Sequence, residues 1–166
     1  MSWAQDLLGL GGSDAGAAAP AALDQARFGY SPELVGSLKG DHADLLRRHA
    51  ELGQLAQSGQ YGSIPMVLSG FKNKFDVHIL HENLQFYCHV EERLARRPKD
   101  LARVKEFRIE MNAIGRAVVT FVKKYRAEGV RQSNSDAFVA DLRAVGQLLA
   151  QRVQREEQEL YPLYAP

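Results

Sequence analysis

Four stretches of the chain carry apolar side chains alternately three and four residues apart, and this spacing limits the fold more than any other feature. The first runs Leu38, His42, Leu45, His49, Leu52, and the second Phe71, Phe75, His78, Glu82, Phe86, His89. The third, Val104, Phe107, Met111, Ile114, Val118, Phe121, Tyr125, is the most regular; the fourth runs Phe138, Leu142, Val145, Leu149, Arg152 or Val153, Glu156, Leu160. Such spacing lines one face of a helix, and no strand-like alternation competes with it. Glycine and proline fall mainly at the breaks, at Ser58-Gly59-Gln60-Tyr61-Gly62 with Pro65, at Arg97-Pro98, and at Gly129 before Ser133-Asn134-Ser135-Asp136. The prediction is an all-α protein, an antiparallel up-down-up-down four-helix bundle over 31–166 whose neighbouring helices cross at about 20°. Ser31 ahead of Pro32, and Ser135 or Asp136, are the expected helix caps. Residues 1–30, rich in glycine and alanine, read as a flexible N-terminal arm with a short apolar patch at Trp3, Leu7, Leu8 and Leu10.

A length of 166 residues suits one such core. The 21 basic and 20 acidic side chains leave a net charge of +1, which argues against nucleic acid or an anionic membrane as partner. Cys88 stands alone, so no internal disulfide and no cysteine-based metal site can form. No apolar run reaches the roughly 20 residues that span a bilayer, and the first residues lack a basic signal start, so a cytoplasmic location is expected.

Polar residues interrupt the seams at matching heights. Counted from the turns, Glu82 lies 15 residues before Arg97 and Met111 14 after it; His42 and Glu82 each lie 20 from Gly62. Met111 and Arg152 lie 20 and 21 from Arg131. One layer therefore collects His42, His78, Glu82, Met111, Arg152 and Glu156. A buried carboxylate without a partner costs several kcal/mol on typical transfer scales, so Glu82 and Glu156 need a partner or a cation. His78 and Glu82 stand one helical turn apart and can chelate one metal ion. Equally, Arg152 can pair with one of the carboxylates as a surrogate cation, or point outward if a metal neutralises them.

Asp41-His42 with Leu45, His78-x-x-x-Glu82 with Phe86, and Glu156-Glu157 with Leu160-Tyr161-Pro162 together resemble the hemerythrin-like family of HHE cation-binding domains, over roughly 35–164. That resemblance implies a four-helix bundle with a non-haem iron centre, whose ligands here would be His42, His78, Glu82 and Glu156. It also implies a histidine on the third helix and one four residues before Glu156, where this chain has Met111 and Arg152. A protonated guanidinium cannot ligate, so the expectation is one iron ion with open positions rather than a di-iron oxygen carrier. Among the remaining residues, His49 and His89 sit farther from the layer, His81 reads as a rim group and Cys88 as packing. Tyr87, Tyr161 and Tyr164 read as interface aromatics, and Lys123, Lys124, Arg126 and Arg131 as a solvated face. No nucleophile and base stand out, so the chain is read as no enzyme. The expected role is a sensor or regulator that responds to oxygen, nitric oxide or redox state; the alternative is a metal-free bundle that binds a protein partner such as a bacterial sigma factor.

Overall fold

The computed structural model describes residues 29–164; the expected N-terminal arm lies almost wholly outside them. Helix α1 is Leu34–Gln57. Helix α2 covers 64–93, as Ile64–His81, a π-helical segment Glu82–Tyr87 and Cys88–Arg93. Helix α3 is Pro98–Glu128, and α4 covers 135–160, as Ser135–Arg155 and a second π-helical segment Glu156–Leu160. A 3₁₀ turn, Tyr61–Ser63, precedes α2, and another, Tyr161–Tyr164, ends the described chain. Helix α1 packs on α2 and α4, and α3 on the same two, which is the up-down-up-down ring the seams predict.

Pro65 and Pro98 sit in the first turns of α2 and α3, where the missing N–H costs nothing. Gly59 and Gly129 follow α1 and α3 with φ of 71° and 69°, a region that favours glycine and lets the chain reverse. The expected caps are corrected. Glu33, not Ser31, precedes α1, and the Ser31 N–H instead donates to the Tyr164 hydroxyl at 3.0 Å. Asn134, not Ser135 or Asp136, precedes α4, and its side chain ties the turn by accepting from Arg131 N and donating to Gly129 O.

The seams divide the interior into two apolar clusters. The larger takes Leu45 and Leu52 from α1, Phe71, Phe75 and Ile79 from α2, Met111 to Tyr125 from α3, and Phe138 to Leu149 from α4. The smaller takes Leu34, Leu38, Phe86, Val90, Phe107, Leu160, Tyr161 and Tyr164. Between them lie the buried polar side chains Asp41, His42, His78, Glu82, Arg152 and Glu156. Helix α3 alone passes from one cluster to the other, Phe107 to Met111, with no polar residue between them on its buried stripe.

The other histidines serve packing. Nε2 of His49 lies 2.7 Å from the Leu142 carbonyl, and its ring occupies the space that a Cβ at Gly146 would fill. His89 lies against Tyr30 and Tyr164, and His81 is exposed.

Candidate metal centre

Three of the four expected ligands converge. Donor atoms of His42 on α1, His78 on α2 and Glu156 on α4 all lie within 4.8 Å of one another. His42 Nε2 is 3.1 Å from Glu156 Oε2. The fourth, Glu82, stands beside this group, with its Oε1 accepting from the Tyr161 hydroxyl at 3.2 Å. His78 Nδ1, Glu82 Oε2, Glu156 Oε2 and Arg152 Nη1 are buried without a hydrogen-bond partner. Orphaned donor and acceptor atoms are rare in native interiors, and four in one layer single it out; the two carboxylate oxygens among them are free to meet a cation.

Both π-helical segments begin at the buried glutamates, Glu82 and Glu156. A π segment inserts an extra residue into the helical turn, which turns the side chains beyond it to a new heading, and such segments are frequent at functional sites. Here they let Phe86, Tyr87, Leu160 and Tyr161 all reach the interior shortly after a charged residue.

Each histidine has an outer carboxylate beside it, within hydrogen-bond distance only at His42. Glu157 Oε1 lies 2.9 Å from His42 Nδ1, and since an ionised carboxylate only accepts, Nδ1 carries the proton and Nε2 faces the cluster. Asp41 Oδ2 lies 3.6 Å from His78 Nδ1, and Lys74 pairs with the other oxygen of Asp41. Carboxylates behind ligating imidazoles fix ring orientation and raise ligand basicity. Neither Glu157 nor Asp41 is marked by the seams, because each neighbours a ligand in sequence and so points about 100° away from it around the helix.

Charge within the layer sorts itself. Burial alone would push His42 down, but the carboxylates of Glu156 and Glu157 beside it outweigh this and raise it. His78 is lowered, chiefly by burial, so its ring is neutral at pH 7. Burial and the adjacent Glu156 charge push Glu82 well above the carboxylate range. Glu156 resists burial because His42 and Arg152 hold it ionised, below its ordinary value. The His78 ring and Lys74, working against burial, bring Asp41 down to about 2.

Arg152 faces inward and is 3% exposed. Its Nε donates to Glu156 Oε1 at 2.5 Å and its Nη2 to the Tyr87 hydroxyl at 2.9 Å, while its guanidinium carbon sits 5.0 Å from the centre of the Phe107 ring. It thus pairs with Glu156 rather than Glu82. The expected interface aromatics are likewise corrected: Tyr87, Tyr161 and Tyr164 are buried, with two of their hydroxyls spent inside the polar layer. Lys123, Lys124, Arg126 and Arg131 are exposed as expected.

The donor chemistry, two imidazoles and a carboxylate gathered from three helices with their outer partners in place, fits one cation. It does not fit two, because the α3–α4 side of the layer presents Phe107, Met111 and a guanidinium. The fold and the site together define a helical bundle with a polar, metal-type core. The chain belongs to the hemerythrin HHE cation-binding domain family, whose model matches residues 33–164. No curated protein and no solved structure matches it. No helix among the described residues is long and apolar enough to cross a membrane.

Proposed function

We propose that this protein is a mononuclear non-haem iron protein that responds to oxygen, nitric oxide or redox state, a cytoplasmic sensor or regulator rather than an oxygen carrier or an enzyme. The observation that carries the reading is the convergence of His42, His78 and Glu156, with Glu157 hydrogen-bonded behind His42. Two histidines and one carboxylate with open positions form the donor set that suits ferrous iron. Iron held there would supply a one-electron couple and open positions for a diatomic gas. The chain's own residues do the rest. Glu157 fixes the His42 tautomer so that Nε2 faces inward, Asp41 sets His78, and Arg152 keeps Glu156 ionised.

The test is metal analysis of tag-free protein reconstituted anaerobically with ferrous iron. About one ion per chain is expected, and His78→Ala should lower the affinity more than the roughly 10- to 100-fold typical of an outer partner. A content near zero would favour the second reading, a metal-free module that binds a protein partner, such as a sigma factor. One observation speaks for that reading: Arg152 already gives Glu156 a cation.

A further inference from the structure

The Tyr161 hydroxyl has no need to be where it is if the ring only fills the smaller apolar cluster. A phenylalanine would pack there equally well, yet the hydroxyl lies 3.2 Å from His42 Nε2 and 3.2 Å from Glu82 Oε1. His42 Nε2 is the atom that Glu157 leaves facing the cluster, and Glu156 Oε2 stands 3.1 Å from it on another side. Donors bound to one ion at about 2.1 Å stand about 3.0 Å apart at right angles and about 3.4 Å apart in a tetrahedron. The spacings of the Tyr161 oxygen and of Glu156 Oε2 from His42 Nε2 fall in that interval. A hydrogen bond would give similar lengths, so spacing needs a second argument, and orientation supplies it. The Tyr161 ring lies nearly parallel to the His42 imidazole, at 10° and 5.6 Å between centres, and packs on Phe86 at 5.2 Å. Pro162 and the closing 3₁₀ turn fix the backbone just beyond it. Packing thereby aims the hydroxyl at the cluster, in addition to its hydrogen bond to Glu82.

From this geometry we infer that Tyr161 is a ligand of the bound ion, and that as a phenolate it selects the ferric over the ferrous state. The inference rests on the metal-binding reading above. When ferric ion binds, a metal–oxygen bond replaces the O–H bond of Tyr161 and the proton is released to the buffer; no electron is transferred. A phenolate is a hard anionic oxygen donor, which trivalent iron prefers. Tyr87, the neighbouring buried tyrosine, is excluded from this role because its oxygen accepts from the Arg152 guanidinium, whereas the Tyr161 hydroxyl donates its proton to Glu82 and keeps its lone pairs.

The experiment uses the full chain, loaded with ferric citrate and freed of excess iron by gel filtration, with iron content and visible absorption read on the same sample. Wild type is expected to carry about one iron and a phenolate-to-ferric charge-transfer band in the visible. Tyr161→Phe should keep a folded bundle and bind ferric ion at least about tenfold more weakly, and when saturated it should show no such band. Tyr87→Phe should retain the band. Wild type that binds iron without the band, or a band that survives in Tyr161→Phe, overturns the Tyr161 assignment while leaving the metal site standing. Wild type that binds no iron, ferric or ferrous, overturns both.

Discussion

The two sides of the polar layer use opposite means to neutralise buried carboxylates. On the α1–α2 side, His42 and His78 present nitrogen atoms with carboxylates behind them, an arrangement that leaves a cation still to be supplied. On the α3–α4 side the cation is covalently present, the Arg152 guanidinium, held by Glu156, Tyr87 and the face of Phe107. Glu156 lies on the boundary and serves both, Oε1 toward Arg152 and Oε2 toward His42. A bundle of this family can thus gather donors for a cation on one side and carry a built-in cation on the other. The lost position is filled by a side chain of matching charge rather than by apolar packing. With that charge built in, a metal would be needed, on the proposed reading, only on the α1–α2 side.

The largest effect tests the built-in cation. Arg152→Ala removes the one cationic partner of Glu156 on the α3–α4 side and strands the Tyr87 hydroxyl. Breaking a buried pair in this way costs roughly 3 to 5 kcal/mol, so denaturant unfolding should show the midpoint collapse. Added iron should recover only part of the loss, because iron sits on the other side of Glu156. Full recovery by iron would mean that the two sides share one cation site and do not differ in kind.

A smaller effect tests the α1–α2 side. Glu157 is only partly buried, so Glu157→Gln should leave the metal-free protein close to wild type in unfolding. It should still weaken metal binding by about 10- to 100-fold, since the His42 Nδ1 proton would lose its anionic acceptor. Isothermal titration with and without the substitution measures this. An unchanged affinity would reduce Glu157 to a surface contact.

Much of this contrast is legible in the chain. The seams define the four helices, and counting from the turns puts His42, His78, Glu82, Arg152 and Glu156 in one layer, which the burial of all five matches. Regular helical counting does not reveal the rest. The π-helical segments at Glu82 and Glu156 rotate the later side chains of each helix, so Tyr87 and Tyr161, adjacent in sequence to inward residues, read as interface aromatics although both are buried. Glu157 meets a histidine on another helix, as does Asp41, and no spacing along one helix encodes that. The direction of Arg152 is open in the sequence for a related reason: a long side chain on a core face can go either way, and Phe107 and Tyr87, from two other helices, decide it.

The smallest expected effect isolates the role of burial by taking it away. Near the far end of the same α3–α4 seam, Lys124 pairs with Asp141 at 2.8 Å, but both side chains are more than 40% exposed. Lys124 and Tyr125 hold the Asp141 carboxyl below its ordinary value. A lowered carboxyl adds stability above its unfolded-state pKa and loses it as pH falls through the folded-state pKa, so any contribution from this pair fades only in acid. Asp141→Asn removes the charge while leaving an oxygen to accept from the Tyr125 hydroxyl, which now donates to Asp141 at 2.6 Å. Water screens the pair, so thermal unfolding at neutral pH should shift by less than about 4 °C, and the shift should vanish in acid where wild-type Asp141 is protonated. A shift comparable to that of Arg152→Ala would show that charge pairing along this seam matters wherever it occurs. A small one ties the weight of Arg152 to its place inside the layer, where no solvent can stand in for the lost cation.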